Sequence, residues 1–305
     1  MRAILIFIDG IGLGDNNPAT NPFVFSHTPN LSQVLGNRPL CMETAGFSDD
    51  KVSLLSLDAT LGVPGLPQSA TGQATLFTGE NAASMLGKHL NRYPNKLLKE
   101  LLRREGIFGQ LLSADLAPAF LNAYQPLFFE ELEKGLTRSY SCSTMLNYYA
   151  GLPFRTLNDI KEGRAVYMDI TNEYLENMGQ RVGIIKPEKA AQRLVETSYN
   201  YHFTLFEFFL SDVAGHLADR RQSEKIVGIL DEFIGELLKR ITTSETLLII
   251  TSDHGNLEEI NHKDHTLNPV PALVAGPRDW RLKAEEKLLD ISGVAGFIRE
   301  YLEAV

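Results

Sequence analysis

Apolar residues in this chain gather into short, nearly unbroken runs. The runs cover residues 3–8, 203–210 and 246–252, and each is rich in β-branched or aromatic residues. Runs of this length and composition are typical of strands that are buried on both faces of a parallel sheet. A further strand-like segment covers residues 270–275. The pattern therefore predicts a buried, mostly parallel sheet.

Helical periodicity appears between these runs. Over residues 226–238 apolar positions recur at steps of three and four, which predicts a helix with one buried face and hence a strand, helix, strand crossover. Shorter helices are predicted over 96–104, 186–195 and 294–302. The alternation of strands and helices predicts an α/β fold, a doubly wound, mostly parallel sheet with helices on both faces.

Residues 126–185 differ from their surroundings. This segment lacks long apolar runs and instead carries tyrosines interspersed with arginines. We interpret it as a small inserted cap, or substrate-specificity segment, on a core formed by residues 1–125 and 186–305. A variable edge of the same domain would have the same composition, so that alternative stays open.

Composition narrows the class of protein. The length of 305 residues, 44% of them apolar, suits one large α/β domain with or without an insert. A net charge of −9 disfavours nucleic acid as a partner.

The apolar runs are too short to cross a membrane or to form a signal peptide. Cys41 and Cys142 form no C-x-x-C pair and suit a reducing compartment, which predicts a cytoplasmic location. The oligomeric state is not predicted.

An aspartate follows each of the three apolar runs. These residues are Asp9, Asp212 and Asp253. Because ligands bind beyond the carboxyl ends of strands in open parallel sheets, the three side chains can converge on one crevice. His216 stands four residues after Asp212, and His254 directly follows Asp253. Each aspartate alone could be a helix cap or turn residue, but together with the histidines they favour a metal site.

His265 adds a further candidate ligand just before the strand-like segment 270–275. Imidazole combined with carboxylate favours Mn²⁺ or Zn²⁺ over Ca²⁺, which prefers oxygen ligands only, and Mg²⁺ is an alternative. We therefore predict a site for two divalent metal ions. The remaining histidines are interpreted as structural, with His262 in doubt because it lies close to His265: they are His27, His89, His202 and His262.

A segment rich in small residues, 65–79, predicts a tight turn into a helix. A helix N-terminus offers free N–H groups and a positive dipole to an anion, which makes Ser69 a candidate nucleophile. A hydroxyl needs activation, and a metal ion held by the aspartates would lower its pKa. The alternative is that Ser69 is an ordinary helix cap.

Six motifs along the chain resemble the alkaline phosphatase superfamily, and most of all its branch containing cofactor-independent phosphoglycerate mutase and phosphopentomutase. The motifs are F-I-D-G-I-G at 7–12, T-P-N-L at 28–31, Q-S-A-T-G-Q at 68–73, D-V-A-G-H at 212–216, S-D-H-G-N at 252–256 and H-T-L-N-P-V-P at 265–271. They occur in the order of the family and span most of the chain.

The resemblance implies a two-metal phosphotransfer site with a nucleophilic hydroxyl. One ion would be held by Asp212, His216 and His265. The other would be held by Asp9, Ser69, Asp253 and His254. Ser69 matches the family's nucleophile, and Thr71 is the competing candidate.

The chain also departs from this branch. It is too short for the large second domain of the mutases, and Gln73 stands where they usually carry His. Neither cysteine lies in the C-x-P-x-R context of sulfatases. We therefore expect a metal-dependent phosphomonoesterase that acts on a small phosphorylated metabolite through a phosphoserine intermediate. The alternatives are a phosphomutase and a non-catalytic metal-binding protein.

Several cations could hold the anionic end of a substrate, or could simply form solvated surfaces. They are Lys88, His89, Arg92 and Lys96 near the proposed nucleophile, and Arg138, Arg155 and Arg164 in the proposed cap. Both interpretations stay open for each of them.

Overall fold

A six-stranded sheet forms the centre of the protein in a computed structural model that describes residues 1–136 and 139–304. The strands are β1 (Arg2–Ile8), β2 (Val52–Leu57), β3 (Pro118–Phe120), β4 (Phe203–Phe208), β5 (Thr246–Thr251) and β6 (Val270–Ala275). Their order across the sheet is β2-β6-β5-β1-β4-β3. Neighbouring strands from β5 to β3 pair in parallel, and β6 is antiparallel to both of its neighbours, β5 and β2.

Helices cover both faces of this sheet. They are α1 (Pro22–Phe25), α2 (Pro29–Val34), α3 (Ser69–Thr78), α4 (Ala82–Leu86), α5 (Lys96–Glu105), α6 (Ile107–Ser113), α7 (Pro126–Glu133), α8 (Cys142–Tyr149), α9 (Leu157–Lys161), α10 (Glu173–Asn177), α11 (Pro187–Ser198), α12 (Leu210–Leu217), α13 (Arg220–Arg240), α14 (Arg278–Lys287) and α15 (Gly293–Glu303). The predicted α/β fold with a mostly parallel sheet is confirmed.

Two apolar cores lie on opposite faces of the sheet, and β1 contributes to both. Alternate residues of a strand point to opposite faces. Leu5 and Phe7 accordingly pack in the core that includes α3, α5, α8 and α15, whereas Ile4 and Ile6 pack in the core that includes α11 and α13. All four side chains are buried. This two-sided burial explains why the run carries no polar alternation.

The sequence predicted a single strand over residues 203–210, and this prediction is wrong. β4 ends at Phe208, and Leu210 already begins α12. When a buried helix directly follows an apolar strand, periodicity alone does not show where the strand ends and the helix begins. The helix places Asp212 in its first turn, where its charge is favourable to the helix dipole.

In its described residues, 126–136 and 139–185, the proposed cap holds four short helices, α7 to α10. Two isolated bridges join this segment to residues that follow β3, one between Asn122 and Val166 and one between Ala123 and Arg155. Part of it forms a small apolar cluster of its own that includes Ile160 and Leu175, but α8 packs in the core beside α3 and α5. The division into a core and a cap stays a prediction.

In the part of the chain that the structure describes, no helix is both long and apolar enough to span a lipid bilayer.

Candidate metal centre

The order of the strands brings the three predicted aspartates to one edge of the sheet. β1 lies between β4 and β5 and is parallel to both, so that the carboxyl ends of these strands are adjacent. Asp9 directly follows β1, Asp253 follows β5 after one intervening residue, and Asp212 lies in the first turn of α12 behind β4. This is the edge at which open parallel sheets bind ligands.

Asp212, His216 and His265 form a first group of donors. The Nε2 atoms of the two histidines are 3.3 Å apart, and they lie 3.3 and 3.5 Å from the Asp212 carboxylate. Each Nδ1–H donates to a backbone carbonyl, His216 to Lys263 at 2.6 Å and His265 to Pro67 at 2.7 Å. In the neutral tautomer that carries its hydrogen on Nδ1, each ring turns the lone pair of Nε2 toward the Asp212 carboxylate.

Asp9, Asp253, His254 and Ser69 form a second group. The Nε2 atom of His254 lies 3.0 Å from the Ser69 hydroxyl, 3.3 Å from Asp9 and 3.6 Å from Asp253. The ring of His254 stacks on that of His265 at 3.7 Å between centroids, which joins the two groups. The structure thus brings together all seven residues that the sequence nominates.

Electrostatics show that this cluster fits a cation. Burial, and then repulsion by neighbouring Asp253 and Asp212, raises the pKa of Asp9 well above its usual range. Burial and the charge of Asp212 raise the pKa of Asp253 to about 7, and burial lowers the pKa of His254 to about 3. Two buried carboxylate oxygens, Asp9 Oδ1 and Asp253 Oδ2, have no hydrogen-bond partner among the described residues. Divalent metal ions would satisfy these oxygens and offset the repulsion.

The two candidate hydroxyls on α3 have different surroundings. Ser69 is the first residue of the helix, and its hydroxyl lies within the second group of donors, beside His254. The Thr71 hydroxyl donates to the carbonyl of Gln68 at 3.1 Å and accepts the N–H of Leu90 at 3.2 Å. Thr71 is therefore engaged with the backbone, and this geometry favours Ser69 as the reactive group.

The sequence did not predict a role for Glu258, but its carboxylate forms hydrogen bonds with three loops of the site. It is buried, and its carboxylate accepts four hydrogen bonds. The donors are the backbone N–H groups of Gly12 and Asn256, both at 2.8 Å, the Asn268 amide at 3.0 Å and the Thr266 hydroxyl. These loops also carry the donors at positions 9, 253, 254 and 265, so Glu258 positions them without belonging to either group.

The glycine at position 12 allows this arrangement. A Cβ atom on Gly12 would lie 2.3 Å from the Glu258 carboxylate, so a side chain there would displace it. Asn256 is a second positioning residue, because its amide donates to the Asp212 carboxylate at 2.8 Å. No sequence signal separates Glu258 from the adjacent Glu259, since only tertiary contacts distinguish them.

Glu207 is a buried carboxylate that did have a sequence signal, since it interrupts an apolar run. It lies in β4, where the Ser143 hydroxyl donates to it at 2.5 Å and Asn122 bonds both its backbone N–H and its carbonyl. Burial raises the pKa of Glu207 to about 7. Its side chain lines the same pocket as Asp9.

That pocket has a volume of about 980 Å³ and is lined by residues from both the sheet edge and the segment 126–185. Of the cations considered from the sequence, Arg92 lines it. Arg155 pairs with Asp159 at 4.0 Å, and Arg164 pairs with the same aspartate at 2.9 Å. Lys88, His89 and Lys96 do not line the pocket. Arg138 lies outside the described residues.

Residues 163–296 match the profile of the Metalloenzyme superfamily. The resemblance to the alkaline phosphatase superfamily is confirmed. Similar curated proteins include the 2,3-bisphosphoglycerate-independent phosphoglycerate mutases of Ehrlichia ruminantium (strain Gardel), 32% identical over 111 residues, and of Clostridium botulinum (strain ATCC 19397 / Type A), 30% identical over 112 residues. The matches cover 32% and 34% of this chain, respectively, and only 22% of either mutase.

Solved structures show the same fold over most of the chain. The PH0037 protein of Pyrococcus horikoshii aligns with a TM-score of 0.55 and 16% identity, covering 91% of this chain and 86% of its own. The alkaline phosphatase of the Antarctic bacterium TAB5 aligns with a TM-score of 0.53 and 14% identity, covering 99% and 98%. At these identities the likeness concerns the fold alone.

Proposed function

We propose that the protein is a metal-dependent phosphoryl-transfer enzyme, a phosphomonoesterase that acts on a small phosphorylated metabolite. The observation that carries this proposal is the position of the Ser69 hydroxyl. It lies at the N-terminus of α3 and 3.0 Å from His254 Nε2, inside a set of carboxylate and imidazole donors that fits divalent cations. The family match and the motifs of the phosphoglycerate mutase branch support the same class of reaction.

The proposed metal ligands follow the two groups of donors. Two divalent ions, Mn²⁺ or Zn²⁺ in preference to Mg²⁺, would be held in these groups. The first group consists of Asp212, His216 and His265. The second consists of Asp9, Ser69, Asp253 and His254. When bound, such ions neutralise phosphate charge and lower the pKa of a hydroxyl.

The chain's own residues then account for the remaining chemistry. Ser69 Oγ forms the bond to phosphorus while the ester bond to the leaving oxygen breaks, and the serine proton ends on the released alcohol. The free N–H groups at the start of α3 hold a phosphate oxygen. Water then cleaves the phosphoserine and releases inorganic phosphate. Asn256 and Glu258 hold the donor loops in place throughout.

Two features favour transfer to water over a mutase reaction. A mutase must retain its substrate while the phosphoryl group moves, which needs several groups that grip it. Arg92 is the single Lys or Arg among the described residues that line the pocket. Tyr174 and Met178, which line the pocket, are about half exposed, so that solvent reaches the pocket.

We further propose that residues 126–185 act as the substrate-specificity cap, because Tyr140 and Tyr167 from this segment line the pocket. A cytoplasmic location stays part of the proposal. It is supported by Cys41 and Cys142, both of which are free and buried.

Two alanine variants test the nucleophile. The protein is assayed on a panel of phosphomonoesters with Mn²⁺, Zn²⁺ or Mg²⁺ added. Ser69→Ala is expected to lose at least about 10³-fold in kcat, because the attacking oxygen is gone. Thr71→Ala is expected to keep turnover within about tenfold and to lose about 1–2 kcal/mol of stability, because the Leu90 N–H loses its acceptor. Loss of turnover in Thr71→Ala alone would overturn the assignment.

Labelled phosphate separates the remaining alternatives. An ester carrying ³²P is followed through the reaction, and release of free phosphate supports the hydrolase. Retention of the label on a rearranged product would establish a phosphomutase instead. If no ester is turned over while the protein keeps its metal ions tightly, a non-catalytic metal-binding role replaces the proposal.

A further inference from the structure

Aromatic side chains form two groups on the wall of the pocket beside the metal centre. In the first, the rings of Tyr124 and Phe128 lie 4.0 Å apart, and those of Phe128 and Tyr140 lie 5.1 Å apart. In the second, the rings of Tyr167 and Tyr174 stack at 6.4 Å with an interplanar angle of 27°. All five residues line the pocket. Aromatic surface on the wall of a pocket favours contact with a flat, apolar part of a ligand.

Two of the four tyrosine hydroxyls in these groups are bonded within the protein. The Tyr124 hydroxyl bonds to Thr144 at 2.7 Å, and the Tyr167 hydroxyl accepts from the Gln125 amide at 2.7 Å. The Tyr140 hydroxyl is buried and has no hydrogen-bond partner among the described residues. A buried donor of this kind is costly unless a ligand or water satisfies it.

Apolar side chains form part of the exposed wall of the pocket, beside the polar residues Asn91, Arg92 and Ser139. Leu127 is 63% exposed, Met178 is 53% exposed and Tyr174 is 46% exposed, and all three line the pocket. Exposed apolar side chains gathered at a concave site mark a ligand-binding surface.

Charge at this site opposes a ligand that carries a second anionic group. Beyond the metal ligands, Glu131 and Glu207 line the pocket, and Arg92 is the single Lys or Arg there within the described residues. An acid such as phosphoglycerate would bring its own carboxylate into this environment without several partners. A neutral ring meets no such penalty.

We propose that the pocket accepts phosphate monoesters whose leaving group is an uncharged aromatic or heteroaromatic alcohol. The phosphate would lie at the two groups of metal donors, and the ring would lie among Tyr124, Phe128 and Tyr174. The part of this inference that concerns the phosphate rests on the proposed function, whereas the part that concerns the ring rests on the pocket wall.

Binding of non-hydrolysable phosphonates tests the ring directly. Benzylphosphonate and ethylphosphonate are titrated into the Mn²⁺-loaded protein by calorimetry, with 3-phosphoglycerate as the charged competitor. Benzylphosphonate is expected to bind about tenfold more tightly than ethylphosphonate, which is about 1.4 kcal/mol. Equal affinities, or tighter binding of 3-phosphoglycerate, would overturn the inference.

Variants of exposed tyrosines locate the effect without threatening the fold. Tyr174→Ala is expected to reduce the preference for benzylphosphonate at least about threefold and to leave ethylphosphonate affinity unchanged. The matched control is Tyr148→Ala, because Tyr148 is 44% exposed and does not line the pocket. An equal loss in both variants would count against the proposal.

Hydrolysis of ethyl phosphate, measured in parallel, separates the two proposals. Turnover of ethyl phosphate without a preference for the benzyl group would leave the phosphomonoesterase in place and remove the aromatic substrate class. Tighter binding of benzylphosphonate without turnover of any ester would support the aromatic binding site and would remove the proposed phosphomonoesterase activity.

Discussion

Replacing Glu258 by glutamine removes one of two acceptor oxygens from the centre of the donor loops. One carboxylate oxygen accepts the N–H groups of Gly12 and Asn256, and the other accepts from Thr266 and Asn268. The glutamine amide can keep only one of these pairs, because its NH₂ group is a donor. The NH₂ group would then face Thr266 and Asn268, whose hydroxyl and amide oxygens can accept from it, and all four bonds would lose the negative charge of the carboxylate.

The expected loss follows from the lost charge. A hydrogen bond to a charged group contributes about 1.5–3 kcal/mol against about 0.5–1.5 kcal/mol for a neutral one, so Glu258→Gln is expected to lower the free energy of unfolding by about 2–4 kcal/mol. Since the same loops carry Asp9, Asp253 and His265, affinity for Mn²⁺ is expected to fall about 10–100-fold.

Urea unfolding of the metal-free protein in EDTA measures the first effect, and calorimetric titration with Mn²⁺ measures the second. Glu259→Gln is the matched control, because Glu259 is adjacent in sequence and no hydrogen bond or ion pair of its side chain is found in the described residues. A Glu258→Gln protein within about 0.5 kcal/mol of that control, with the same Mn²⁺ affinity, would refute the positioning role.

Two further predictions concern the same site. The pKa of Asp253 is raised from 3.8 to about 7, so the metal-free folded state binds more protons than the unfolded state across this range. The free energy of unfolding in EDTA should therefore fall as pH rises from about 4 to 7. The fall should be smaller in Asp253→Asn. An equal or steeper fall in that variant would contradict the raised pKa of Asp253. Gly72→Ala would place a Cβ atom 2.8 Å from the Asp253 carbonyl and should cost about 1–3 kcal/mol. Gly109→Ala is the control, because no atom lies near the added Cβ, and its free energy of unfolding should stay the same or increase. Equal losses of stability in the two variants, measured by urea unfolding, would exclude the steric explanation.

The parallel sheet and its helices could be predicted from the sequence because apolar periodicity reports burial directly. The boundary between β4 and α12 could not, because Leu210 is as apolar as the strand before it. The same limit applies to the antiparallel direction of β6, since a buried strand has the same composition in either direction.

Candidate ligands were predictable for a different reason. Asp9 follows a buried strand directly and Asp253 follows one after a single residue, so their place in the chain already implies a place at the sheet edge. Glu258 and Tyr140 have no such marker. Their roles depend on loops and on a pocket wall that come together only in three dimensions, and neighbouring residues of the same type differ from them in contacts alone.

The donors of the metal centre are spread along the chain from Asp9 to His265. A ribosome therefore releases the first of them long before the last, and the nascent chain has neither group complete until β5 and the loop beyond it have emerged. If the proposed ligands are correct, metal binding is coupled to closure of the whole sheet, since a partial set of ligands binds weakly. Under the same proposal, the order of the residues along the chain leaves Ser69 without bound metal ions during most of synthesis.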